Sequence, residues 1–176
     1  MRDKLCMIDS NRYLEAVITL LHVDYAKCLL QLRDFKSSIP FPGVWGGFGG
    51  KLKKGESPKL AGCRELEEEL GYSPDRISYF RDYVFDKTFA QQRADLRLHV
   101  CYGELKVPIS ELILTEGQDM GLFSRSEITE RERYSQKLRR KLPIPDHTVS
   151  IILDLFGFIS SEERDFPQTK NSFTPI

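Results

Sequence analysis

The chain has 176 residues, 40% hydrophobic and 30% charged, enough for one globular domain with a sizeable core and little more. Lys plus Arg and Asp plus Glu stand at 26 each, and the pI is about 6.8. That balance provides no global field for gripping a nucleic-acid polymer or an anionic membrane, while a small anionic substrate held by local groups stays open.

Cys6, Cys28, Cys63 and Cys101 form no C-x-x-C pair, and each lies in or near an apolar run. They read as buried free thiols in a reducing cytosol. The longest apolar run near the N-terminus, residues 16–21, is too short to span a bilayer. Residues 1–12 lack the basic-then-apolar order of a signal peptide, so a cytoplasmic protein is expected.

In chain order, residues 13–23 are rich in β-branched and aliphatic side chains and predict a strand buried on both faces. A tight turn at 24–27 leads into a second strand at 28–33, making a hairpin. Pro40, Pro42 and Gly43 mark 34–43 as a loop, and residues 44–48 form a short strand feeding a glycine-rich turn. A helix is expected from Ser57-Pro58, an N-cap followed by a residue suited to the first helical position, to Gly71 as its stop. Leu60, Cys63, Leu66 and Leu70 are its expected apolar stripe. Strands follow at 79–89, 96–107 and 120–123. The charged segment 124–141 predicts one or two poorly buried helices, with basic residues from Arg131 to Lys141 as a solvated face. A last helix spans 146–157, giving a single domain over 1–159 and a polar tail at 160–176.

The stretch 49–72 carries the chemistry. Glu65, Glu68 and Glu69 stand at i, i+3 and i+4, so a helix makes them neighbours. Like charges that close repel, and a hard divalent cation with a preference for oxygen ligands reverses the sign of that effect.

Gly50, five residues, Glu56, seven residues, then Arg64-Glu65-Leu66-Glu67-Glu68-Glu69-Leu70-Gly71-Tyr72 resembles the Nudix box, G-x₅-E-x₇-R-E-U-x-E-E-x-G-U with U bulky and apolar. All seven fixed positions match, and Tyr72 is the one loose fit. With Gly and Glu each at roughly 7% of residues, chance supplies that on the order of once in 10⁸ starting positions. The preceding Trp45-Gly46-Gly47-Phe48-Gly49-Gly50-Lys51 is similar to the strand entering the box in MutT-like members, with Phe48 where many relatives carry Pro. The resemblance implies an α/β fold, an α/β/α sandwich with a central mixed β-sheet and the loop-helix of the box.

It further implies a Nudix pyrophosphohydrolase, cleaving a diphosphate bond of a nucleoside di- or triphosphate or related derivative by water attack at phosphorus. An oxidised purine nucleotide is the first expectation for the substrate. The alternatives are a nucleotide-sugar hydrolase and a non-catalytic nucleotide sensor. Mg²⁺, or Mn²⁺, is the implied cofactor, with Glu65, Glu68, Glu69 and the Gly50 carbonyl as ligands and Arg64 fixing a box carboxylate. Glu56 is expected to brace the loop and Glu67 to face solvent. Thr115-Glu116-Gly117-Gln118 resembles the segment that supplies a further carboxylate in MutT-like enzymes, so Glu116 is a further ligand or the general base; that role stays open between Glu116 and a box glutamate. Arg33 and Lys51 are substrate-binding candidates, and Asp146 is either a base-reading group or an N-cap of the last helix. His147 either serves a leaving group or packs. A small-molecule nucleotide is the expected partner, on a monomer or homodimer, with no nucleic-acid polymer and no membrane.

Overall fold

The computed structural model describes residues 13–86 and 94–165. Strand β1 (Tyr13–Val23) turns at Asp24 and Tyr25, both left-handed with φ of 47° and 53°, into β2 (Lys27–Leu32). The Ala26 amide closes the turn on the Val23 carbonyl at 3.0 Å, and the two consecutive positive φ values match it to the twist of the strands. The hairpin is paired only near its turn, Leu21 with Leu29 to Val23 with Lys27. Beyond that β1 and β2 part, and the strand entering the box fills the gap. Its β3 portion (Trp45–Gly46) pairs with Leu32 and Gln31 of β2. On the other side Phe48 exchanges hydrogen bonds with Thr19, and the Val17 amide donates to the Gly50 carbonyl at 2.9 Å. Gly49 and Gly50 are thereby built into the middle of the sheet.

Helix α1 (Pro58–Leu70) follows, then β4 (Ile77–Phe85) and β5 (Asp95–Glu104). β5 runs parallel to β1 from Tyr13 to His22, and β4 closes that edge antiparallel. β6 (Asp119–Ser124) pairs with β2 along its whole length. The result is a six-stranded mixed sheet. Alternation along β1 sorts its side chains. Val17 and Leu21 join Leu29, Phe48, Leu66 and Leu70 in a core under α1. Leu20 joins Leu30, Trp45, Val100 and Phe156 in a core under α3 (Asp146–Asp165). Helices on both faces make the expected sandwich.

Several expectations change. The segment 124–141 is mostly not helical: α2 (Arg125–Thr129) is one short helix, and β7 (Glu132–Ser135) and β8 (Arg140–Pro143) form a hairpin. Ser124 and Glu127 make a reciprocal capping box that starts α2, and Arg131, at φ 59°, reverses the chain after it. Burial of Leu142 and Ile144, and a Ser135 hydroxyl bonded to the Asp119 carboxylate at 2.7 Å, tie the hairpin down. Among its cations, Arg133 pairs with Glu127 and Glu130, Lys141 pairs with Glu132, and Arg140 lies over the Phe35 ring. Helix α3 does not stop at Gly157, because Phe158 packs on Phe80 and Ile159 enters the core, so the apolar stripe continues. Residues 160–165 are therefore helical, and the rest of the expected tail, 166–176, lies outside the described residues. The end of the expected 79–89 strand also lies outside them, as does Cys6. Cys28 and Cys101 are buried free thiols, and Cys63 is partly exposed. Leu60 is exposed; the buried face of α1 is Ala61, Gly62, Leu66, Leu70 and, unexpectedly for a charge, Glu69.

Candidate active site

The box loop and α1 are joined by one side chain. Ser57 caps α1 by accepting the Leu60 amide, and Gly71, left-handed at φ 58°, ends it with its amide on the Glu67 carbonyl. Between those caps, Arg64 makes a fork–fork pair with Glu56: Nε donates at 2.9 Å and Nη2 at 3.0 Å. Nη1 donates to Glu65 at 2.6 Å and to Glu68 at 3.2 Å, while Nη2 reaches the Lys51 carbonyl at 3.2 Å. Glu56 also accepts the Lys53 amide at 2.9 Å, and Arg64 with that amide draws its carboxyl down to about 2. The planar guanidinium thus fixes loop, helix and two box carboxylates in one geometry, which a point-charge ammonium cannot do. Glu67 is exposed.

The two glycines have separate steric reasons. Gly49 stands at φ 148°, and a Cβ there would run into the Val17 carbonyl. At Gly50 a Cβ would lie 2.5 Å from Glu65 Oε1. The Glu65 carboxylate therefore lies directly against the backbone of the box turn, and a side chain at Gly50 would displace it.

Glu69 is the most perturbed group of the site. It is 4% exposed, on the inner face of α1. Gln31 Nε2 donates to it at 2.7 Å and the Gly49 amide also donates. Burial raises its pKa to about 8, with Glu65 and Glu116 adding to the rise against those two hydrogen bonds. Glu116 is brought in by the segment that precedes it. The amides of Ile113 and Thr115 donate to the carbonyls of Leu70 and Glu69, and the Thr115 hydroxyl to that of Glu68. Those are terminal helix carbonyls with no intrahelical partner, so the loop docks by satisfying them. Gly117, at φ 87°, has no room for a Cβ, which would meet Gln31 Oε1 at 2.7 Å. Gln31 and Thr115 are not among the residues that the sequence singles out. Gln31 does carry a signal, as the one polar residue inside the apolar run of β2.

Beside Gly49 and Gly50 opens a cavity of about 190 Å³ between the sheet and the start of α3. Its lining is mostly apolar, with Arg33 and Lys51 at the glycine turn and Phe41, Phe85, His147 and Thr148 among the remainder. Arg33 donates from Nε to the Pro40 carbonyl at 3.2 Å; burial lowers its pKa, while Glu69 and Glu116 pull the other way. Arg33 therefore links the cavity to the carboxylates. Asp146 is not brought to it. Its side chain is 81% exposed at the first turn of α3 and ion-paired with Arg131 at 2.5 Å. His147 packs instead, against Phe41 at 4.8 Å and Phe85 at 5.8 Å between ring centroids, and burial lowers its pKa.

The donor set suits a hard divalent ion. Glu65, Glu68, Glu69 and Glu116 all offer oxygen ligands, and the crowding of Glu69 by Glu65 and Glu116 is a repulsion that a cation would relieve. The Gly50 carbonyl has one lone pair engaged by Val17 and one left. Among the described residues, no three of these side chains already converge as a closed ligand set; Arg64 holds one oxygen each of Glu65 and Glu68.

A family model described as NUDIX domain matches residues 12–143. A 43-residue stretch is 40% identical to the methanol dehydrogenase activator of Bacillus methanolicus, covering 24% of this chain and 23% of that protein. The MutT protein of Methanosarcina mazei Go1 superposes with a TM-score of 0.65 at 20% identity, over 86% of this chain and 97% of that one. The NUDIX domain of Shewanella oneidensis NrtR, solved with ADP ribose, gives 0.63 at 18% identity over 84% and 88%. A MutT NUDIX hydrolase of Burkholderia pseudomallei gives 0.60 at 22% identity over 80% and 95%. At these identities the structural likeness speaks for the fold.

Proposed function

The chain belongs to the NUDIX family, and from that premise we propose that it is a divalent-metal-dependent pyrophosphohydrolase cleaving a nucleotide diphosphate linkage by attack of water at phosphorus. The observation that carries the reading is Glu69: a buried carboxylate of α1, crowded by Glu65 and Glu116 and hydrogen-bonded by the glycine turn that borders an apolar cavity. Burying a carboxylate among others is costly unless a cation or a proton offsets the charge, and such groups cluster at functional sites.

Glu65, Glu68, Glu69, Glu116 and the Gly50 carbonyl are the groups that would hold Mg²⁺ or Mn²⁺. Such an ion supplies neutralisation of the diphosphate and a lowered pKa for bound water. The chain does the rest. Arg64 holds the rotamers of Glu65 and Glu68, so the array needs little reorganisation at the moment of reaction. Gln31 and the Gly49 amide aim Glu69. Arg33 and Lys51 border the cavity where a phosphate chain leaving it would pass, and their side chains donate without being able to accept. The cavity receives the nucleoside. The general base is Glu69 or Glu116: burial pushes the pKa of the first up to about 8, and the second is exposed and borders the same carboxylates. On a nucleoside triphosphate the products are a nucleoside monophosphate and pyrophosphate. The oxidised-purine expectation loses one of its supports, since Asp146 stands outside the cavity lining.

The test is a panel of nucleoside diphosphates, triphosphates and nucleotide sugars incubated with Mg²⁺ and, in parallel, with chelator. Metal-dependent release of a nucleoside monophosphate supports the reading. Tight nucleotide binding with no turnover of any member would move it to a sensor.

A further inference from the structure

The end of β2 serves two carboxylates at once. Gln31 in the strand donates to Glu69, and two residues past the strand the Asp34 carboxylate accepts a hydrogen bond from the Gln118 side chain. Glu116 stands two residues before Gln118, exposed on its loop. A carboxylate in such a place binds well only where the backbone beneath it is already fixed, because ordering a loop at each binding event costs conformational entropy. Here the chain is bonded on both sides of it. Before Glu116, the Thr115 amide and hydroxyl donate to the carbonyls of Glu69 and Glu68 in α1, at 2.9 and 2.5 Å. After it, the Gln118 amide donates to the Leu32 carbonyl at 2.7 Å, and the Gln118 side chain reaches Asp34. Gly117 lies so close to the same strand end that a Cβ on it would stand 2.8 Å from the Leu32 carbonyl oxygen.

Asp34 is itself a rigid anchor. Its carbonyl accepts the Gly43 amide at 2.9 Å, and the Arg33 amide donates to the Val44 carbonyl at 2.9 Å, so the chain is paired across the loop that follows β2. The Asp34 side chain is only 17% exposed, and its Oδ2 is ion-paired with Lys36 at 2.7 Å. Oδ1 faces Gln118 and Oδ2 faces Lys36, so this carboxylate is directed at the loop and at a lysine. Resting on the metal-dependent reading above, we propose that Asp34 is a positioning residue: through Gln118 it fixes the loop that presents Glu116 to the divalent ion the box carboxylates would hold. Gln31 and Asp34, three residues apart, thereby set Glu69 and Glu116 in one frame. A supporting residue of this kind acts through the ligand it orients. Its effect should therefore vanish when that ligand is absent, which a role in stability alone does not predict.

A double-mutant cycle makes the test, read by calorimetric titration of Mn²⁺ into the metal-free protein and, in parallel, by steady-state hydrolysis with Mg²⁺. Asp34→Ala should weaken Mn²⁺ by about tenfold and lower kcat by about the same factor. Gln118→Ala removes the other partner of the bond and should do the same. Asp34→Asn keeps an oxygen that accepts from Gln118, and should recover most of the loss, to within about threefold of wild type. In a Glu116→Gln background, Asp34→Ala should have no further effect on either reading. Losses that multiply in the double variant, an Asp34→Ala protein that binds Mn²⁺ as the wild type does, or an Asp34→Asn protein as impaired as Asp34→Ala overturns the proposal. If Mn²⁺ affinity follows the cycle while no nucleotide is cleaved, the positioning inference stands and the hydrolase reading falls.

Discussion

Glu69→Gln separates function from stability, because the two should move in opposite directions. In the metal-free protein the Glu69 carboxyl is raised to about 8 by burial and by its carboxylate neighbours. An unfolded glutamate titrates at about 4.3. Between those values the native state holds a proton that the unfolded state has released, so stability falls as pH rises through the window and the loss is complete above about 8. Each unit of pH in that window costs about 1.4 kcal/mol, so the loss from pH 5 to 8.5 is of the order of 4 kcal/mol. The carboxamide introduced by the substitution carries no charge, and its oxygen can still accept from the Gln31 side chain, whose Nε2 lies 2.7 Å from the wild-type carboxylate. Denaturant unfolding with chelator present should show the wild type losing several kcal/mol over that range through ionisation of Glu69, and the Glu69→Gln variant losing markedly less. Turnover, in contrast, should fall by at least about two orders of magnitude in the variant. A variant that keeps near-normal turnover, or that is less stable than wild type in chelator at pH 8.5, refutes the reasoning.

Three other substitutions address the parts that hold the array. Arg64→Lys keeps the charge but loses the fork that spans Glu56, Glu65 and Glu68; turnover should drop at least tenfold and stability by about 2 kcal/mol, measured by steady-state kinetics and chemical unfolding. Gly49→Ala puts a Cβ into the Val17 carbonyl at a φ that disfavours side chains, and should cost about 3 kcal/mol or more in the same unfolding assay. Glu116→Gln, on an exposed side chain, should change stability by no more than about 0.5 kcal/mol and lower turnover at least tenfold; whether the acid limb of the pH–rate profile disappears in this variant or in Glu69→Gln tells which of the two is the base.

What can be read from the sequence is what is local. The box helix has the expected ends, because Ser57, Pro58 and Gly71 act on their own neighbours, and the carboxylate spacing is fixed by helical geometry. The strands β1, β2 and β6 follow from short-range patterning. The hairpin at 132–143 does not, since its charges mask the burial of Leu142, and what pins it are contacts to Asp119 and Trp45 from distant parts of the chain. Gly157 misleads for a related reason: a helix-stopping residue is overridden by the packing of Phe158 and Ile159. At the site, the groups on α1 are legible and the groups that aim them are less so. Gln31 reaches Glu69 only because β2 lies under α1, and Thr115 matters only because its loop passes the end of that helix. Asp146 stands at a helix start, as its position suggests, but the rotation of that helix gives the cavity to the next two residues instead.

The central claim is that the box carboxylates and a divalent ion direct water onto phosphorus. The most direct measurement is mass spectrometry of the products formed from a hydrolysed nucleotide in ¹⁸O-labelled water with Mg²⁺. The expected result is one labelled oxygen bonded to phosphorus in a product, formed by the wild type and reduced at least a hundredfold in Glu69→Gln. Label on carbon, equal turnover by the variant, or turnover that persists undiminished in chelator would contradict the account.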